Sequence, residues 1–137
     1  MATHNSLFSE QDVRRTGQGI AVSVQLPWYR SLWLSSVSGI TVAVEGRPIP
    51  TESLRVELAG RTYSVADLPE QWDTLWFIQD RLVVVVPLEA TGLDRLPAEG
   101  EPLDIEASVE LRLPYMQIAP MTYVSNHATT RRSLAAR

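Results

Sequence analysis

Between Leu103 and Leu113 six apolar residues, Leu103, Ile105, Ala107, Val109, Leu111 and Leu113, alternate without a break with Asp104, Glu106, Ser108, Glu110 and Arg112. Successive side chains of a strand point to opposite faces, whereas a helix would scatter these residues around its circumference. The stretch therefore predicts a long strand with one dry and one wet face, and the rest of the chain must cover the dry one. Shorter alternations do so: Ile20, Val22, Val24 and Leu26; Ile40, Val42 and Val44; Leu54, Val56 and Leu58. Ala59-Gly60-Arg61 turns the last of these back into Thr62-Tyr63-Ser64-Val65, a hairpin signal with glycine at the turn. Leu75-Trp76-Phe77-Ile78 and the strand from Arg81 to Val86 read as a second hairpin, joined at Gln79-Asp80. Leu82 to Val86 is apolar on both faces, which suits a covered strand or a position under a partner. Ala66 to Gln71 has room for one helical turn, kept short by Pro69.

Many short strands with almost no helical period predict an all-β fold, a single-domain antiparallel β-sandwich. The expected divisions are an N-terminal arm at 1–17, docked through Leu7, Phe8 and Val13, a sandwich at 18–124 and a tail at 125–137 whose end, from Arg131, frays. A chain of 137 residues is one ordinary domain, large enough for a real core. No internal repeat suggests a propeller or solenoid.

Two segments do not fit a plain sandwich. Leu26-Pro27-Trp28-Tyr29-Arg30-Ser31-Leu32-Trp33-Leu34 follows the first strand, which Pro27 stops, and places two of the four tryptophans on a connection. Core, sugar or protein must cover them, because each large ring carries roughly 150–250 Å² of surface. Between Arg112 and Arg131 there is no charged residue, and His127 is the only titratable imidazole, yet Tyr115, Met116, Ile118, Met121, Tyr123 and Val124 are there. Pro114 and Pro120 argue that this stretch is irregular, lying back on the sandwich or on a partner. Trp, Tyr and Arg combine a large apolar body with a polar handle and dominate binding hot spots, so an interface is favoured for at least part of the two segments.

The inventory of chemistry is mostly negative. A net charge of -4 leaves no basic face for nucleic acid. Without cysteine there are no disulfides, thiolate metal sites or cysteine nucleophiles. His4 and His127 have no partner at a metal-ligand spacing, and neither a phosphate-binding glycine loop nor a serine-nucleophile elbow occurs. Asp104, Glu106 and Glu110 belong to the wet face of the long strand. Asp73 and Asp80, near Trp72 and Trp76, are a weak match to the acid pair of a glycosidase. The residues therefore predict no catalytic and no metal-ligating residue in this chain, and no cofactor bound by it. Residues 1–15 lack a secretory pattern and no apolar run could span a bilayer, so a cytoplasmic location is expected.

The string Leu-Pro-Trp-Tyr-Arg-Ser-Leu at 26–32, with Ser-x-x-x-Gly-Ile-x-Val-x-Val-x-Gly-x-Pro downstream to Pro48, resembles the small β subunit of bacterial C-glycoside deglycosidases. Leu-Pro-Glu at 68–70, Trp76-Phe77 and Leu-Arg-Leu-Pro-Tyr at 111–115 fit the same pattern, which spans about 18–124. Trp33 stands where that family favours a smaller residue such as proline. The resemblance implies a β-sandwich accessory subunit docked on a TIM-barrel α subunit that carries a divalent metal, Mn or Mg, and the acid/base groups. It implies cleavage of 3-keto C-glycosides, with this chain stabilising the α subunit and helping to shape its active site. The residues expected at that partner interface are Trp28, Tyr29, Arg30, Trp33, Tyr115, Met116 and Tyr123. A stand-alone carbohydrate-binding module, stacking sugars on Trp72 and Trp76 or on Trp28 and Trp33, is the alternative, and a structural homo-oligomer is a third.

Overall fold

The alternating segments form strands in a computed structural model that describes residues 7–9, 12–17, 19–26, 31–92, 102–119 and 122–135, with the side chains of 113–119, 122–127 and 132–135 excepted. In chain order the strands are β1 (Val13–Arg15), β2 (Gly19–Gln25), β3 (Leu32–Trp33), β4 (Val37–Val44), β5 (Arg47–Pro48), β6 (Arg55–Leu58), β7 (Arg61–Ser64), β8 (Leu75–Trp76), β9 (Arg81–Pro87), β10 (Pro102–Ala119) and β11 (Thr122–Ala135). One short helix, α1 (Leu88–Thr91), follows β9. The strands form a five-stranded sheet of order β1-β2-β9-β6-β7, a four-stranded sheet of order β11-β10-β4-β5 and a small pair, β3-β8. Every pairing is antiparallel.

The two larger sheets share one buried cluster. Leu103, Ile105, Val109 and Leu111 of β10 with Ile40, Val42 and Val44 of β4 meet Ile20, Val22 and Val24 of β2 and Leu82, Val84 and Val86 of β9. The all-β sandwich expected from the alternation is the observed architecture. Register enforces it: Val22 pairs with Val84 and Val84 with Val56, so a row of β-branched residues crosses the five-stranded sheet on its inner face. On the outer face Val83 and Val85 are half-buried, so the apolar run of β9 lies in a central strand covered fully on one side.

Residues 7–8 close the sandwich. Leu7 and Phe8 are buried, the Leu7 amide donates to Thr130 Oγ1 of β11 at 2.8 Å, and the Leu7 carbonyl accepts the Gln25 amide of β2 at 2.9 Å. The expected arm thus bridges both sheets, and β1 extends it as an edge strand.

The expected β6–β7 hairpin is present, with Leu58 opposite Arg61 and positive φ at Ala59 and Gly60. Such a pair of left-handed residues matches the twist of a two-residue hairpin turn. The one helical turn after β7 is a 3-10 helix at Val65–Glu70.

Two expectations are corrected. The hairpin joined at Gln79-Asp80 does not form: β8 pairs with β3, whereas β9 pairs with β2 and β6. The Asp80 amide donates to the Phe77 carbonyl at 2.9 Å, so the chain turns before β9 begins and β9 inserts between β2 and β6. The stretch beyond Leu113 continues as strand with register shifts between Leu113 and Gln117 and between Gln117 and Ala119, and the chain does not fray from Arg131, since β11 runs antiparallel to β10 as far as Ala135. Pro114 is tolerated because the β10–β11 register shifts between Leu113 and Gln117, and because β4 accompanies β10 only from Ile105 to Leu111, which leaves one edge without a ladder to break.

Candidate functional site

One end of the sandwich concentrates the exposed apolar surface. Among the described residues the large exposed hydrophobic side chains are Trp33 (50%), Trp72 (73%), Phe77 (46%) and Ile78 (44%). They lie in two segments, at 31–36 and 71–80, and backbone contacts hold these together. Leu32 pairs with Trp76 and Trp33 with Leu75. The Leu34 amide donates to the Thr74 carbonyl at 2.7 Å and the Ser35 amide to the Gln71 carbonyl at 3.1 Å. The Ile78 amide donates to Ser31 Oγ at 2.8 Å.

A buried tryptophan supports the exposed ones. Trp76 is fully buried, and its Nε1 donates to the Asp80 carbonyl at 3.1 Å, so its one polar atom is satisfied by the turn it supports. That turn carries Phe77 and Ile78 outward. On the other flank Val65 and Leu68 bury the 3-10 helix, and Leu68 accepts the Gln71 amide at 3.0 Å. Trp72 then follows a fixed start and projects.

The β10–β11 ribbon leaves the sandwich at this end. Leu111 is opposite Val37, the first residue of β4, and antiparallel pairing carries β10 beyond Leu111 past the segment that precedes β4. That segment is Leu34–Ser36, a short 3-10 helix that touches β10.

Of the seven residues expected at an interface, Trp33 is half exposed at this end. Trp28, Tyr29 and Arg30 lie outside the described residues, between Leu26 and Ser31. Tyr115 and Met116 fall in β10 and Tyr123 in β11, opposite Gln117, with their side chains outside the described set. Trp72, Phe77 and Ile78 were absent from that expectation. The density of aromatics from Trp72 to Phe77 was the available signal, but sequence does not separate the inward Trp76 from its outward neighbours. With Trp76 buried, the expected sugar platform of Trp72 and Trp76 is not available.

Several polar and charged groups elsewhere pair with one another. Asp104 accepts both Nε (3.2 Å) and Nη2 (2.7 Å) of Arg131, which holds its carboxyl below the ordinary aspartate range although partial desolvation opposes the shift. Ser38 Oγ donates to Glu110 Oε1 at 2.9 Å, and the Ser108 and Thr129 hydroxyls meet at 2.8 Å across β10 and β11. Asp73 Oδ1 accepts the neighbouring Thr74 hydroxyl at 3.4 Å. Among the described residues no three His, Asp or Glu side chains converge as metal ligands would. No helix among them is long and apolar enough to cross a membrane.

A family model described as the C-glycoside deglycosidase beta subunit matches residues 3–115. The chain belongs to the C-glycoside deglycosidase beta subunit family. It is 59% identical over 134 residues, 98% of each chain, to a C-glycoside deglycosidase beta subunit of Arthrobacter globiformis. A protein of the same description from Microbacterium trichothecenolyticum is 33% identical over 113 residues, 82% of this chain and 81% of the relative. A 3'-dehydrocarminate deglycosidase beta subunit from a Microbacterium species is 28% identical over 101 residues, 74% of this chain and 71% of the relative. The matched region includes every exposed apolar residue of the end wall and stops in β10 where the ribbon begins.

Proposed function

We propose that this chain is the non-catalytic β subunit of a cytoplasmic C-glycoside deglycosidase, a carbon–carbon lyase whose TIM-barrel α subunit carries the acid/base groups. The supporting observation is the 59% identity to a deglycosidase beta subunit over 98% of both chains. The substrate is a C-glycoside whose sugar has been oxidised to the 3-keto form, a reading supported by the 3'-dehydro substrate in the name of one relative. A carbonyl at C3 acidifies the C2 proton. A base removes that proton, the electron pair forms the C1–C2 double bond, and the C1–aglycone bond breaks as the aglycone carbon takes up a proton. A divalent metal, Mn or Mg, in the α subunit supplies polarisation of the C3 carbonyl. The part proposed for the present chain is to hold the α subunit and shape the wall of its pocket, a role suited to its exposed aromatic end.

The test is cleavage of a 3-keto C-glycoside by the α subunit alone, the β chain alone and the two together, with aglycone release followed by chromatography. The expected result is activity only when both chains are present and co-elute. Full activity of the α subunit alone, or no co-elution, would overturn the assignment.

A further inference from the structure

We propose that the end wall formed by Trp33, Trp72, Phe77 and Ile78 is the seat of the catalytic α subunit, and that the facing surface of that subunit is apolar with a basic rim. The inference rests on the assignment above and adds the place and chemistry of contact.

The four side chains belong to segments locked by the Leu32–Trp76 and Trp33–Leu75 pairs and by the Ile78–Ser31 hydrogen bond, so their exposure is built into the fold. Phe77 and Ile78 are held outward by a turn whose inner residue, Trp76, is fully buried. A fixed apolar surface needs little ordering when it is covered, and rigid rings of this kind give the largest return per side chain in an interface. Together they offer on the order of 400 Å², about half of the ~800 Å² that each side of a standard interface contributes. The ribbon of β10 and β11 leaves the sandwich at the same end and provides a second contact area.

Charge selects the occupant. The sequence from Val65 to Asp80 holds Asp67, Glu70, Asp73 and Asp80 and no basic residue, and 31–36 carries no charge at all. Arg81, the next cation along the chain, faces Asp12 at 3.4 Å. A two-fold contact between copies of this chain would set those four carboxylates against themselves, since such an interface uses the same patch on both sides. A different chain with arginines or lysines around an apolar centre meets no such repulsion.

The experiment uses the full chain with its α subunit, measuring Kd by calorimetry and assembly by native mass spectrometry. Trp72→Glu with Phe77→Glu should raise Kd at least ~30-fold, the loss of a hot-spot pair. Asp73→Arg should weaken binding about 5-fold or more, whereas Glu89→Arg, beyond the far end of β9 in α1, should leave Kd unchanged. Circular dichroism controls for folding, which the exposed positions make robust, and Trp72→Phe should retain most of the affinity. If the wild-type chain binds and the double variant binds equally well, the seat is overturned and the subunit assignment stands. If the wild-type chain does not bind at all, the assignment itself fails. If the double variant instead abolishes a homodimer while leaving the heteromer intact, the wall is a self-interface and the proposal is overturned.

Discussion

Replacing Trp76 by alanine tests the internal support of the end wall. The indole is fully buried, and its Nε1 hydrogen bond to the Asp80 carbonyl closes the turn that precedes β9. Deleting a buried tryptophan costs about 3–5 kcal/mol through lost transfer energy and the cavity left behind. The hydrogen bond adds about 1 kcal/mol at most, because the half-exposed Asp80 can turn its freed carbonyl to water. A total near 4 kcal/mol is a large part of the ~5–15 kcal/mol that holds a domain of this size together. With a urea m-value of about 2 kcal/mol/M, the unfolding midpoint should fall by roughly 2 M. Trp72→Ala, at the exposed neighbour, should move it by less than about 0.3 M, and Trp76→Phe should lie between the two. Urea titration followed by far-UV circular dichroism measures all three. A midpoint for Trp76→Ala within about 0.5 M of wild type, or an equal loss for Trp72→Ala, would refute the assignment of inward and outward rings.

Tyr63 buries its hydroxyl with no hydrogen-bond partner among the described residues, so Tyr63→Phe should leave stability unchanged or raise it by about 1 kcal/mol; a loss of that size in urea titration would show a bond made in solution. A Cβ on Gly19 would strike the Val86 carbonyl oxygen and come within 2.7 Å of the Leu88 amide nitrogen, so Gly19→Ala should force β2 from β9 and cost about 1–3 kcal/mol, read as a fall in Tm. Asp104 has a depressed pKa in the folded chain because Arg131 binds its charged form, so its contribution is present above about pH 4 and is lost as pH falls through the folded value. Asp104→Asn should therefore flatten the acid limb of the stability curve, an effect that 0.5 M salt reduces for so exposed a pair; parallel wild-type and variant curves from pH 2.5 to 7 would exclude the linkage.

Most strands that carry the core were legible because apolar residues alternate in them with polar or small ones. Ile20, Val22 and Val24 and the run from Leu103 to Leu111 point inward as their period requires. Pairing was less legible. Nothing local to Leu75-Trp76 says that its partner is Leu32-Trp33, 43 residues earlier, because a strand partner is chosen by what the rest of the sheet leaves open. Strand β11 was invisible for another reason. Val124-Ser125-Asn126-His127-Ala128-Thr129-Thr130 lacks apolar alternation, and the strand is defined by its ladder to β10, with Thr130 buried as the anchor of Leu7. At the end wall, sequence drew attention to Trp33 among the described residues, whereas the exposure of Phe77 and Ile78 is decided by the turn at 77–80 and that of Trp72 by the 3-10 helix before it, neither of which composition reveals.

The bond from the Leu7 amide to Thr130 Oγ1 spans almost the whole chain, and it sets the order in which the molecule can be made. On a ribosome the first strands emerge with their inner faces uncovered. β2 waits for β9, about 60 residues later, and β4 waits for β10. The buried Leu7 and Phe8 gain their last wall only when β11 appears. Contacts so distant in sequence slow folding and prolong the exposure of apolar strand edges. Closure of the sandwich therefore waits for β11, whereas the aromatic end, locked by contacts between 31–36 and 71–80, can form before that strand is added.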